Sequence, residues 1–207
     1  MTFSSLFTDS LLAGILIALG DIMYVYIENK IVAAFLFSIA LCFIRVKGLN
    51  LFTGSLGKFY SDKGFKWRHL FFILILNIIG TCIMHLWSDF IFTDIYALAE
   101  VKFLNVDLWR VYIYSILCGM LMAVATDSQT PMWLTIMCVM GFLLSGFRHS
   151  IADSWYFWHL PIKNWGTGFG ILGLEILGNF LGGTVIALLI KENLANKIKS
   201  SLKTKNL

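Results

Sequence analysis

Six stretches of mostly apolar residues, each close to the length that carries a helix across a bilayer, occupy most of this 207-residue chain. A hydrocarbon core about 30 Å thick asks for about 20 mostly apolar residues of helix per crossing. The stretches lie near residues 10 to 28, 31 to 46, 69 to 90, 108 to 126, 132 to 147 and 169 to 190. Only 14% of residues are charged, against about 25% in an ordinary soluble domain. The reading is an all-α, multi-pass membrane protein with one transmembrane domain over residues 1–207. It has a short N-terminus (1–9) and a basic C-terminus (191–207).

Lys and Arg are unevenly shared between the connecting segments, and their excess marks the cytoplasmic side. Lys58, Lys63, Lys66 and Arg68 follow the second stretch, and Lys191, Lys197, Lys199, Lys203 and Lys205 follow the sixth. The opposite side carries little beyond Lys30, Lys102 and Lys163. Both termini are therefore expected in the cytoplasm, with the chain in the cell membrane. This asymmetry accounts for the net charge of +4, so a nucleic-acid partner is not expected. The start of the chain has no basic segment and no A-x-A-like site before a short apolar core, so its first helix is expected to be retained. Cys42, Cys82, Cys118 and Cys138 fall inside the apolar stretches without C-x-x-C spacing, which suggests neither disulfides nor zinc.

The two halves of the chain share small motifs. Asn77 and Gly80 in the third stretch match Asn179 and Gly182 in the sixth, and Ala13-Gly14 in the first matches Cys118-Gly119 in the fourth. An odd number of crossings per half would make the halves inverted repeats. The second and fifth stretches each run into a polar or glycine-bearing interruption, at Leu51-Phe52-Thr53-Gly54-Ser55 and at Phe147-Arg148-His149-Ser150-Ile151-Ala152-Asp153. Non-helical backbone at membrane depth survives only where protein buries it or water reaches it. Two broken helices in corresponding positions point to a site near the midplane.

In order along the chain, AGILIALG, GLNLFTG, SILCG, GFRHSIAD and LGNFLGG resemble the motifs of the formate/nitrite transporter family over nearly the whole length. The resemblance implies an aquaporin-like fold of six helices, a homopentamer, and one pore per protomer for small monovalent anions such as formate, nitrite or hydrosulfide. It places His149 at the family's central histidine and Thr53 opposite it. It puts Phe37, Leu41, Leu51 and Phe142 at two apolar constrictions, and Lys102 at or next to the vestibule lysine. This chain departs from the family pattern around the pore. Arg148 stands where a glutamate is usual, Asn50 replaces an acidic residue, Gly119 and Ser55 each replace an asparagine, and Asp153 ends HSIAD where the family has HSIAN. Asn50, Gly119 and Arg148 join His149, Thr53 and Lys102 as expected pore residues.

A charge at the centre of a membrane helix costs about 2.5–3.5 kcal/mol on insertion scales, so such charges pair or line water. Arg45, Lys47 and Arg148 therefore either face the pore or pair with Asp21, Asp153 and Glu175. For Arg148 the expectation is an anion attractor beside His149, with a pair to Asp153 or Glu175 as the alternative. His69, His85 and His159 read as hydrogen-bonded structural residues, and Trp155, Tyr156, Phe157 and Trp158 as interfacial anchors. No cofactor motif and no cluster of metal ligands is visible, so neither is expected. An enzyme is disfavoured, because Ser150 beside His149 makes no oriented nucleophile–base pair. The expected function is a channel or transporter for anions of weak acids, with or without protons as a linked species. A channel for another anion or a neutral solute, and a non-conducting membrane scaffold or sensor of the same fold, remain as alternatives.

Overall fold

The computed structural model describes residues 3–62, 64–90 and 95–205, with side chains to residue 193 except that of Ser61. Lys63, the outermost residues of both termini and the side chains of Lys197, Lys199, Lys203 and Lys205 lie outside the described parts. All regular structure among the described residues is helical: α1 (Phe3–Tyr26), α2 (Lys30–Lys47), α3 (Phe52–Ser61), α4 (Trp67–Ser88), α5 (Ile95–Phe103), α6 (Leu108–Thr126), α7 (Met132–Leu144), α8 (Ser150–Trp158) and α9 (Trp165–Lys205), with a 3-10 turn over Ile162–Asn164. Among the described residues, five segments are long and apolar enough to cross a membrane: Phe3–Tyr26, Lys30–Tyr60 taken through its interruption, Trp67–Ser88, Leu108–Thr126 and Ile162–Asn193. α7 is apolar but shorter. Nothing in the apolar pattern marked α5, and Lys102 sits within this helix.

The distribution of side chains is that of a membrane protein. Phe35, Ile39 and Phe43 of α2, Phe71 and Ile75 of α4, and Leu177, Leu181 and Leu188 of α9 are exposed. Ser10, Asp21, Asn77, Ser115, Glu175 and Asn179 are buried inside. Polar groups collect where other protein groups can satisfy them, and the apolar faces are left for lipid or for neighbouring chains. The aromatic run before His159 is an exception to the sequence reading. Trp155, Tyr156 and Phe157 are buried, because α8 lies against α1, α4, α5 and α9, so these rings fill the core and do not anchor the chain at an interface.

One set of contacts is made twice. α1 packs on α2 and α4 as α6 packs on α7 and α9, and the short α3 lies on α6 and α9 as the short α8 lies on α1 and α4. At the α1–α4 crossing a Cβ on Gly80 would lie 2.9 Å from the Ile15 amide nitrogen, and at the α6–α9 crossing one on Gly182 would lie 3.0 Å from that of Met120. These helices therefore meet backbone to backbone, the geometry that small residues permit. Gly119, expected in the pore, belongs to this contact: a Cβ there would sit 2.8 Å from the Asn179 Cα.

The two interruptions are also built alike. α2 ends at Gly48 (φ 67°) and the segment after α7 turns at Gly146 (φ 68°), the left-handed conformation that glycine adopts without Cβ strain. At each turn the next residue donates back across the helix end, Leu49 N to Ile44 O and Phe147 N to Phe142 O, both at 2.9 Å, which is the Schellman closure. The extended residues that follow are held by a buried asparagine from a neighbouring helix. Asn77 Oδ1 accepts from Phe52 N (2.8 Å), and its Nδ2 donates to Asn50 O (3.0 Å) and Ser10 O (2.7 Å). Asn179 Oδ1 accepts from Ser150 N, and its Nδ2 donates to Arg148 O and Ser115 O, all at 2.8 Å.

Each amide supplies both the donors and the acceptor that a helix break at membrane depth lacks. A buried backbone group left without a partner costs about 1–3 kcal/mol. Asn77→Ala and Asn179→Ala should each lower the thermal unfolding midpoint of the detergent-solubilised protein well below that of Ile79→Ala, which trims a half-exposed side chain of α4. Equal midpoints for all three variants would show that the amides do not hold the breaks.

Candidate functional site

α3 and α8 are the helices that begin at the two breaks, and their first residues meet. His149 is the N-cap of α8, and its Nδ1 accepts a hydrogen bond from Ala152 N at 3.1 Å. Thr53 lies in the first turn of α3, and its Oγ1 is 3.0 Å from His149 Nε2. Because Nδ1 is committed to accepting, the neutral ring carries its proton on Nε2 and donates it to the Thr53 hydroxyl. Both residues are buried. Each helix N-terminus presents the positive end of its dipole and its outward-pointing amides, an arrangement suited to anions.

Apolar side chains surround this polar pair. Phe142 stacks on the His149 ring with centroids 5.5 Å apart, and Phe37 meets Phe142 edge-on at 5.9 Å. Leu41 and Leu51 are buried in the same cluster as these two phenylalanines. The four residues expected at the constrictions therefore belong to one buried apolar cluster, which touches the histidine through Phe142.

A cavity opens at each end of the bundle. One, of about 460 Å³, is lined by Tyr24, Lys30, Lys102, Arg148 and Tyr156 among others. The second, of about 360 Å³, is lined by Arg45, Leu51, Ser55, Lys58 and Thr126 among others, with no acidic side chain in its wall. Lys58 reaches the Asn50 side chain, donating from Nζ to Oδ1 at 3.3 Å. Among the described residues Arg45 makes no pair with an acid. It donates to Thr135 Oγ1 (2.5 Å) and to the carbonyls of Asp127 (2.7 Å), Ser128 (3.3 Å) and Thr130 in the α6–α7 connection.

The three-cation, three-acid network considered from the sequence forms only in part. Arg148 lies against Glu175, with Nη2 2.5 Å and Nε 2.7 Å from Oε1, and its Nε is 2.9 Å from Asp153 Oδ2. Lys102 Nζ is 2.7 Å from Asp153 Oδ1, and the Lys102 carbonyl accepts from Arg148 Nη2 at 2.9 Å. Lys102 and Arg148 are thus tied to two buried carboxylates in the wall of the first cavity. Arg148 adopts the paired alternative while still edging the cavity. Lys47 sits with its ammonium 5.9 Å from the centroid of the Phe43 ring, and Asp21 is buried with Oδ2 unpartnered.

Of the residues expected in the pore, the structure brings His149, Thr53, Leu51, Leu41, Phe37 and Phe142 together. It puts Lys102 and Arg148 at one cavity and Asn50 beside Lys58 at the other. Gly119 it places at a helix crossing, away from both. Sequence reasoning missed the functional position of Lys58, two turns beyond Leu51 on α3, where it read as a marker of orientation only. It also read the asparagines 77 and 179 only as marks of an internal repeat. Their signal was present in the matched asparagine–glycine spacing.

A family model for formate/nitrite transporters matches residues 1–191, and the chain belongs to that family. Among solved structures, an FNT family ion channel is similar at 21% identity and a TM-score of 0.72, covering 91% of this chain and 89% of that one. A pentameric formate channel with formate bound is similar at 18% identity and a TM-score of 0.63, covering 98% of this chain and 97% of that one. These likenesses define the fold as that of FNT channels. No curated protein matches the chain by sequence.

Removing one partner of a buried ion pair strands the other charge and costs about 3–5 kcal/mol, whereas replacing both with apolar groups often costs little. Arg148→Met and Glu175→Leu should each destabilise the purified protein by about that amount, and the double variant by much less than their sum. Additive losses would show that the pair is not coupled.

Proposed function

We propose that this chain is a membrane channel for small monovalent anions of weak acids, of the formate, nitrite or hydrosulfide kind, assembled as a homopentamer with one pore in each protomer. In this reading α2–α3 and α7–α8 are each one broken crossing, giving six crossings in a single domain made of two inverted halves. The basic connections place both termini in the cytoplasm and the protein in the cell membrane. The Arg45–Lys58 cavity is then the inner vestibule, and the Lys30–Lys102–Arg148 cavity is the outer one.

The observation that carries the reading is the His149–Thr53 pair, a buried hydrogen-bonding couple beside an apolar cluster and between two cation-lined cavities, at the meeting of two helix N-termini. The cations concentrate anions at each mouth. A full charge pays heavily to enter the apolar cluster, which favours small ions and favours passage together with a proton drawn from vestibule water. His149 Nε2–H and the Thr53 hydroxyl offer hydrogen bonds to the permeating oxygen or sulfur where water does not. Phe37, Leu41, Leu51 and Phe142 set the size limit, and they part when the ion passes. Arg148 and Lys102, held by Glu175 and Asp153, contribute compensated charge, so attraction at the outer mouth rests mainly on Lys30.

The test is stopped-flow uptake of formate, nitrite, hydrosulfide, chloride and acetate into proteoliposomes, comparing the native protein with His149→Phe and with protein-free vesicles. The native protein should pass one or more of the weak-acid anions, faster as the bath is acidified, and His149→Phe should lose at least about tenfold, the scale of one lost charge-stabilising hydrogen bond. Native uptake no faster than that of protein-free vesicles would favour the non-conducting scaffold. Chloride passing as fast as formate without acid dependence would favour a channel for other anions.

A further inference from the structure

Away from the pore, two imidazoles and a carboxylate converge where the end of α4 meets the end of α8. His85 and Asp89 stand one helical turn apart on α4 and its C-cap, so they project to the same side. His159 is the C-cap of α8 and is fully buried. One donor atom from each of the three lies within 4.8 Å of the others, and the two imidazole rings meet edge to face with centroids 4.3 Å apart.

The hydrogen bonds around the cluster leave its nitrogens unused. His159 Nδ1 is 2.9 Å from the Trp155 carbonyl, which can only accept, so Nδ1 carries the proton and Nε2 is a bare lone pair. That Nε2 is buried and has no hydrogen-bond partner, and neither has His85 Nδ1. Buried polar atoms are nearly always paired, and an orphan asks for a missing partner. A lone pair on His159 and an unpartnered nitrogen on His85 thus stand on facing rings, and a metal ion would partner both. The supporting contacts are those of metal ligands: a backbone carbonyl fixes the tautomer of His159, and the Tyr96 hydroxyl, 2.5 Å from Asp89 Oδ1, holds the carboxylate.

We infer that His85, Asp89 and His159 form a binding site for a divalent transition metal of the zinc class. Two nitrogens and one oxygen suit a borderline cation, while calcium and magnesium prefer oxygen alone. Metal bonds of about 2.0–2.1 Å require the donors to close in. Asp89 is exposed and His85 half-buried, so these two move towards the fixed His159, and the exposed side leaves a position for water. Spacing in the sequence did not show the cluster, because His159 comes from a distant helix. An ion here would tie α4, which carries Asn77, to the far end of the nine-residue helix whose N-cap is His149.

The experiment is equilibrium dialysis of the tag-free, detergent-solubilised protein against Zn²⁺, with bound metal counted by mass spectrometry, for native protein, His85→Ala, Asp89→Asn and the double variant. Co²⁺ absorption reports the ligand geometry, and the thermal transition of each variant verifies that it is folded. The expected result is one Zn²⁺ per chain, weakened by at least about tenfold in each single variant and lost in the double variant. Native protein that binds no more Zn²⁺ than the folded double variant would overturn the assignment.

Discussion

The two breaks depend on two side-chain amides. A bilayer offers no water to an unpaired backbone group, yet the chain leaves helical geometry twice, after Gly48 and after Gly146, within its most apolar segments. Asn77 and Asn179 satisfy the exposed amides and carbonyls on either side of each break and bond back to the helix they pack against. That last bond is possible because the glycines at the α1–α4 and α6–α9 crossings bring the backbones into contact. The small residues, the asparagines and the breaks are thus parts of one device, used twice.

From that device the rest of the site follows. With both breaks pinned, α3 and α8 start in fixed places, and the first polar groups they present to each other are Thr53 and His149. Phe142 stacks on the His149 ring within the buried apolar cluster that also holds Phe37, Leu41 and Leu51, so under the proposed function this couple is the hydrogen-bonding feature an entering ion would meet. Charge is kept outside this cluster. Lys102 and Arg148 are bound to Asp153 and Glu175 on one side, and Arg45 is bound to loop carbonyls on the other. Asp153 lies in the first turn of α8, where a carboxylate also complements the helix dipole.

Much of this was legible in the sequence. Apolar length gave an all-helical chain with several apolar helices, and glycine with polar residues inside apolar runs fell where α2 gives way to α3 and α7 to α8. The ordered motifs pointed to the family and to His149 and Thr53. What the sequence could not carry was the destination of long side chains. Arg45 and Arg148 each have several acids and carbonyls within possible reach, and only the packing of α6, α7 and α9 decides that one takes carbonyls and the other Glu175. Trp155 and Phe157 read as interfacial because aromatics near a helix end often are, and α5 covers them instead. His85 and His159 could not be brought together by spacing at all.

At the proposed centre of the pore, the cap on α8 fixes the His149 tautomer and leaves Nε2–H directed at Thr53. Solid-state ¹⁵N NMR of histidine-labelled protein in lipid, with the His149 signals assigned by their absence in His149→Gln, measures this directly. The account predicts a protonated Nε2 and an unprotonated Nδ1 at neutral pH. A proton on Nδ1 would contradict it, because the Ala152 amide would then have no acceptor and Thr53 would donate to Nε2 instead of accepting from it.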